Sequence, residues 1–119
     1  MNRKKYGQVG EKLAGQWLLL NEFRIVEYNY RTKYGEIDII AFKKGFIHFI
    51  EVKSRANYNL NILARDSIGK NKLIHIKKTA QYYIYQNKIT DYPIQFDAIE
   101  VYLNSNELHI IYIPEIIEE

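Results

Sequence analysis

Two stretches of this chain, Gly35-Glu36-Ile37-Asp38-Ile39-Ile40-Ala41 and Phe49-Ile50-Glu51-Val52-Lys53, carry charged side chains at alternate positions inside what are otherwise runs of buried-strand residues. Side chains on a strand alternate between its two faces, so Glu36 and Asp38 are expected on one face, and Glu51 and Lys53 likewise. If Lys44-Gly45 is a two-residue turn, or the loop is longer by one residue on each side, positions summing to 89 pair across a hairpin. Asp38 then lies opposite Glu51, and Glu36 opposite Lys53. Like charges so opposed destabilise a sheet. A shared cation converts that repulsion into ligation, because carboxylate oxygens are the donors that Mg²⁺ and Mn²⁺ take. The bland alternative is a solvated sheet face on which acidic and basic residues simply alternate.

The remaining composition bounds the answer. A chain of 119 residues suits a single domain spanning 1–119, and its 47% hydrophobic and 26% charged content is that of an ordinary globular protein. It has no run of about 18 apolar residues, and its start leads into an amphipathic stretch, so the expected location is cytoplasmic with no membrane contact. The absence of cysteine excludes disulfides, thiolate zinc sites and a cysteine nucleophile. A net charge of +3 permits nucleic-acid binding without demanding it.

In chain order, Tyr6, Val9, Leu13, Trp17 and Leu20 recur at helical spacing and predict a helix from about Arg3 to Asn21 with that stripe as its core face. A second stripe, Gly7, Glu11, Ala14 and Leu18, combines small residues with a carboxylate. Glycine costs a helix interior roughly 1 kcal/mol against alanine, so close approach to another backbone or a ligand is a reason for it here. Glu11 could then reach the Asp38 and Glu51 site from the side; a solvated glutamate explains it equally well. Strands are expected over Phe23–Thr32, around Glu36 and Asp38, and over Phe46–Lys53, joined as a meander. Ser54–Asp66 reads as a loop fringing the site. Lys70–Lys88 reads as a second amphipathic helix with Leu73, Ile76, Ala80, Tyr83 and Ile84 inward, and Lys70, Lys72, Lys77, Lys78 and Lys88 outward among Tyr82 and Tyr85. Such a surface can hold phosphates and stack bases, or be merely solvated. Ile94–Leu103 should return parallel to the Glu51 strand, followed by a turn at Asn104-Ser105-Asn106, a last strand over Leu108–Ile113 and a frayed acidic tail. The order α-β-β-β-α-β-β makes an α/β fold with a mixed sheet.

Two carboxylates and a lysine at strand centres suit metal-assisted phosphodiester hydrolysis, in which a cation lowers the pKa of a bound water and neutralises charge. Asp38 and Glu51 would ligate, the Val52 carbonyl could add a ligand, and Lys53 would orient water or offset transition-state charge. His48 and His109 lie in apolar runs, where packing is the expected role. No serine-triad motif or phosphate-cradling glycine loop is present.

The words Gly7-x-x-Gly10-Glu11-x-x-Ala14, Asn29-x-Arg31, Gly35-Glu36-Ile37-Asp38-x-Ile40-Ala41, Glu51-Val52-Lys53-x-Arg55 and Phe96-Asp97 span most of the chain. In them the chain resembles the YraN family of predicted endonucleases, within the restriction-endonuclease-like PD-(D/E)xK superfamily. It is similar in the same places to archaeal Holliday junction resolvases. The resemblance implies an α-β-β-β-α-β core with an extra C-terminal strand, Mg²⁺ or Mn²⁺ as cofactor, and DNA, including branched DNA, as substrate. It implies Asp38, Glu51 and Lys53 as catalytic residues, joined by Glu11, which resembles the helix-one glutamate of several members; with the Val52 carbonyl and Glu36 read from the strands, Asp38, Glu51, Val52, Glu11 and Glu36 are the candidates around the metal. Ile37 replaces the proline of the superfamily name, and Gln95 stands where the family pattern has arginine.

The expected function is therefore a divalent-metal-dependent DNA endonuclease with no organic cofactor. Arg31, Arg55, Lys70 and Lys72 would contact nucleic acid, and a homodimer would suit cutting of both strands. The alternatives are a non-catalytic nucleic-acid-binding module that keeps the fold, and a partner-binding protein whose charges are only a solvated face.

Overall fold

The computed structural model describes residues 3–55, 68–104 and 107–117. Its elements are α1 (Arg3–Leu20), β1 (Arg24–Thr32), β2 (Gly35–Lys43), β3 (Phe46–Arg55), α2 (Lys70–Gln86), β4 (Ile94–Leu103) and β5 (Leu108–Ile113). The loop expected over Ser54–Asp66 is strand at Ser54 and Arg55, and from residue 56 it lies outside the described residues. Two of the three residues of the expected 104–106 turn lie outside them as well.

The five strands stand in chain order, β1-β2-β3-β4-β5, all neighbours antiparallel except β3 and β4. That parallel pair needs a crossover, which α2 supplies. Lys44 and Gly45 carry positive φ angles of 49° and 82°. Both are left-handed, as the tight primed hairpin turn requires. The turn sets the β2–β3 register at Ile39↔Ile50 through Lys43↔Phe46, each pair summing to the expected 89.

Alternation along β3 and β4 sends side chains to two cores. Phe49, Phe96 and Ala98 pack with Ile76, Ala80 and Tyr83 of α2, while Ile50, Ile99 and Val101 pack with Ala14 and Leu18 of α1. The helices thus cover opposite faces of the sheet. This is the expected mixed α/β architecture, α-β-β-β-α-β with a C-terminal strand.

Two expectations are corrected. The core face of α1 is centred on Ala14 and Leu18, both fully buried, whereas Leu20 of the larger apolar stripe is 83% exposed. Small residues win because the helix sits tight on the sheet. A Cβ on Gly10 would lie 1.7 Å from Ser54 Oγ, and one on Gly15 would lie 2.2 Å from Tyr28 Oη. The tail, in turn, is anchored over its described part: Ile116 is buried and its N–H donates to the Phe96 carbonyl at 2.7 Å. Among the described residues no helix is long and apolar enough to cross a membrane.

Candidate active site at the fork between two strands

β2 stays paired to β1 as far as Thr32↔Gly35, and β3 stays paired to β4 as far as Arg55↔Tyr102. Between β2 and β3 the ladder ends at Ile39↔Ile50, so the sheet forks there and the expected cross-strand pairs Asp38–Glu51 and Glu36–Lys53 do not form. The Asp38 carboxylate fills the fork: its Oδ2 accepts a hydrogen bond from the Val52 N–H at 2.8 Å. A backbone donor is satisfied where the ladder stops.

Strict alternation also breaks at this point. Ile39 and Ala41 pack under α1, but Ile37 packs with Ile40 on the α2 side. The neighbouring strand changes in step: Asn29 has a left-handed φ of 53°. Tyr28 lies beside Gly15 of α1, whereas the Tyr30 ring meets Tyr83 of α2 with centroids 5.0 Å apart. Glu36 and Asp38 therefore do not share a face by simple parity. With its amide oriented by the hydrogen-bonding network, Asn29 donates to both Glu11 Oε1 and Glu36 Oε1 at 2.9 Å. Asn29 ties the glutamate of α1 to that of β2.

Glu51 is buried, 5% exposed, on the α2 face. Its Oε1 lies 2.6 Å from the Lys72 ammonium, which α2 brings over the fork. Lys72, expected on the outer basic surface, is in this way part of the acidic site. A cavity of about 340 Å³ opens here, lined by Gly35, Glu36, Asp38, Glu51, Lys72 and His75. Gly35 has a φ of 151°, and a Cβ there would stand 3.3 Å from the His75 Cβ, so glycine lets β2 begin close beneath α2.

Burial and the neighbouring Glu51 charge push the Asp38 carboxyl up to about 8, against the opposing hydrogen bond from Val52. Burial raises Glu11 too, with Glu36 and Glu51 adding repulsion. Burial lowers Lys53, and the adjacent Lys72 ammonium lowers it further. Burial alone would lower Lys72 as well, but the hydrogen bond and charge of Glu51, with the charge of Asp38, outweigh it and raise that ammonium. Two carboxylates thus face one another here, with two ammonium groups beside them.

Of the other expected contacts, Arg31 is exposed, with its Nε 3.3 Å from Glu36 Oε1. Lys70 is exposed at the start of α2. Arg55 Nε lies 2.9 Å from Oε2 of the buried Glu100 without hydrogen-bond geometry, and Tyr102 Oη donates to the same oxygen at 2.6 Å. Arg55 offsets a buried charge first.

The donor set suits a hard divalent ion held by two carboxylates that keeps much of its water shell. Among the described residues, no three His, Asp or Glu side chains are grouped closely enough to hold an ion by themselves. Asp38 and Glu51 would be the protein ligands, with Lys72 the group to be displaced from Glu51.

Sequence reasoning named Asn29 and Asp97 only within motif words and Lys72 only as a nucleic-acid contact; it missed what each does here, and with Asp97 a second buried polar centre. His48 Nδ1 stands 2.6 Å from Asp97 Oδ2, which also accepts from Tyr112 Oη at 2.7 Å. Asp97 Oδ1 accepts from Gln95 Nε2 at 2.9 Å and the Glu115 N–H at 3.0 Å. Gln95, at the position of the expected arginine, orients this carboxylate. His109 is not packed in the core: its Nε2 lies 2.9 Å from Glu107 Oε2 and its side chain is 45% exposed.

Residues 10–101 match the model of the uncharacterised protein family UPF0102. A UPF0102 protein of Caldanaerobacter subterraneus subsp. tengcongensis is 43% identical over 108 residues, covering 91% of this chain and 88% of that one. One from Clostridioides difficile is 47% identical over 103 residues, covering 87% and 90%. Matches of this identity and length take in α1, the forked hairpin, α2 and β4 together, and the chain belongs to the uncharacterised protein family UPF0102.

Proposed function

We propose that this chain is a divalent-metal-dependent DNA endonuclease of the PD-(D/E)xK kind, with Asp38 and Glu51 as metal ligands. The observation that carries the reading is the gathering of Asp38, Glu51 and Lys72 around one cavity at the strand fork, with Lys53 close enough to feel their charges and the Asp38 proton affinity raised by burial and by Glu51. An ion bound there supplies charge against a phosphate and a water of lowered pKa. Lys53, its pKa lowered by burial and by Lys72, would be suited to orient or deprotonate an attacking water. Lys72, released from Glu51, is suited to meet the charge that grows on the phosphate oxygens. Glu11 and Glu36, joined by Asn29, would add negative charge and water acceptors beside the carboxylate pair.

Cleavage of duplex, single-stranded, flapped and four-way-junction DNA in Mn²⁺ tests this. The wild-type chain should cut at least one of these, and Lys53→Ala and Asp38→Asn should each slow the cut by about a hundredfold or more. Wild-type inactivity on all of them, or cutting that persists in Asp38→Asn, contradicts the proposal.

The Lys72–Glu51 ion pair favours a second reading, a binding module without turnover, because it neutralises Glu51 internally. That reading expects DNA binding that ignores both metal and Asp38→Asn.

A further inference from the structure

Beside the fork, the β1–β2 turn and α2 enclose a second cavity of about 390 Å³, walled by Tyr30, Arg31, Lys33, Tyr34, Tyr82 and Gln86. We infer that it is a stacking platform for unpaired bases, and that the DNA recognised here carries a single-stranded segment next to the scissile phosphate. This rests on the nuclease reading for the phosphate, but not for the platform itself.

The rings are placed for contact with something outside the chain. Tyr34 is 36% and Tyr82 38% exposed, and their centroids lie 6.1 Å apart at 60°. Two large rings kept half in water at one spot gain little for the fold, whereas a base has a π-face to cover them. Tyr30 forms the floor, edge-on to Tyr83, with its hydroxyl donating to Gln86 Oε1 at 3.2 Å. Charge complements the rings. The Lys33 ammonium lies 5.3 Å from the Tyr34 centroid, Arg31 is 74% exposed, and Lys78 precedes Tyr82 by one helical turn on an exposed face. Aromatic rings interleaved with cations bind a single strand, since a duplex hides its π-faces.

Position ties the platform to the fork. Arg31 reaches Glu36 at the cavity rim, and Tyr34 directly precedes Gly35. On α2, His75 lines the fork and Tyr82 lines the platform, two helical turns apart, or about 10 Å. A stacked strand covers that span in about three nucleotides. Unpaired bases held by Tyr34 and Tyr82 would deliver a phosphate to Asp38 and Glu51.

The test is fluorescence anisotropy of the full chain in EDTA, with an oligothymidylate of about 12 nucleotides and a duplex of equal length. The oligothymidylate should bind more tightly than the duplex. Tyr34→Ala/Tyr82→Ala should weaken it by about ten- to hundredfold while changing duplex affinity by less than about threefold. Tyr34→Phe/Tyr82→Phe, which keeps the rings, should retain wild-type affinity. A wild-type preference for duplex, an equal loss on both ligands, or a loss in the phenylalanine variant matching that in alanine overturns the platform. The two readings fail separately. Ring-dependent strand binding by a chain that never cuts would leave the platform and remove the nuclease; Asp38-dependent cutting indifferent to both tyrosines would do the reverse.

Discussion

Asp38 shows how a single side chain can be held against its own chemistry. Its carboxyl, pushed up to about 8 by burial and by Glu51, keeps its proton more tightly in the folded chain than in the unfolded one. For such a group, stability is greatest below the unfolded value near 4 and is lost as pH rises towards 8. Metal-free protein should therefore weaken across that window by several kcal/mol from this residue, at about 1.4 kcal/mol per pH unit. Asp38→Asn, which cannot ionise, should remove that part of the slope and be the more stable protein at pH 8, as urea denaturation at pH 5 and pH 8 would read. A wild-type slope unchanged by the substitution would show that Asp38 ionises freely. The residue is costly to folding in the metal-free chain, which is the pattern expected where function opposes stability.

At the scale of elements, α1 is held on the sheet by the absence of side chains. Gly10→Ala should gain about 1 kcal/mol in helix propensity but lose more to overlap with Ser54, for a net loss of about 1 kcal/mol. Adding Ser54→Ala removes the hydroxyl but leaves the Ser54 Cβ 3.0 Å away, so it should recover part of that loss, and thermal unfolding of the two single variants and the double variant would show non-additivity. Additive effects would mean that the helix does not seat on Ser54. This contact was half legible in the sequence: glycines in a helix interior gave reason to expect a close approach, but not that its face is the core. Leu13, Trp17 and Leu20 dominate any hydropathy pattern, and the true contact face of Gly10, Ala14, Gly15 and Leu18 carries little signal because its value lies in closeness. The hairpin was legible for the opposite reason. Lys44-Gly45 sets the turn locally, and every pair from Lys43↔Phe46 to Ile39↔Ile50 follows from it. Local chemistry cannot announce the left-handed Asn29, the loss of alternation at Asp38 or the arrival of Lys72, since each depends on partners far away in the chain.

Over the whole molecule, the two helices bury opposite faces, and the forked end of the central hairpin gathers residues from α1, β1, β2, β3 and α2. The His48–Asp97 centre instead takes residues from β3 and β4 with Tyr112 of β5, and lies in a wall shared by Trp17, Phe23 and Lys43. Its carboxylate is fully buried and accepts from Gln95, Tyr112 and Glu115, so it fastens the C-terminal segment to the sheet. Element order and topology were readable because short connections leave few choices. The two polar centres were only half readable: Asp38 and Glu51 announce themselves by interrupting apolar runs, whereas His48 and Asp97 are 49 residues apart and meet only through the parallel β3–β4 register.

The proposed ligation of a divalent cation by Asp38 and Glu51 at the fork can be read out directly. Titration calorimetry of Mn²⁺ into the metal-free chain tests it most directly. The wild type should bind Mn²⁺ more tightly at pH 8 than at pH 6, with release of a proton, as the Asp38 carboxyl must ionise to ligate, and Asp38→Asn should not bind it. A wild type that binds no Mn²⁺, or an Asp38→Asn variant that binds it as tightly, would contradict it.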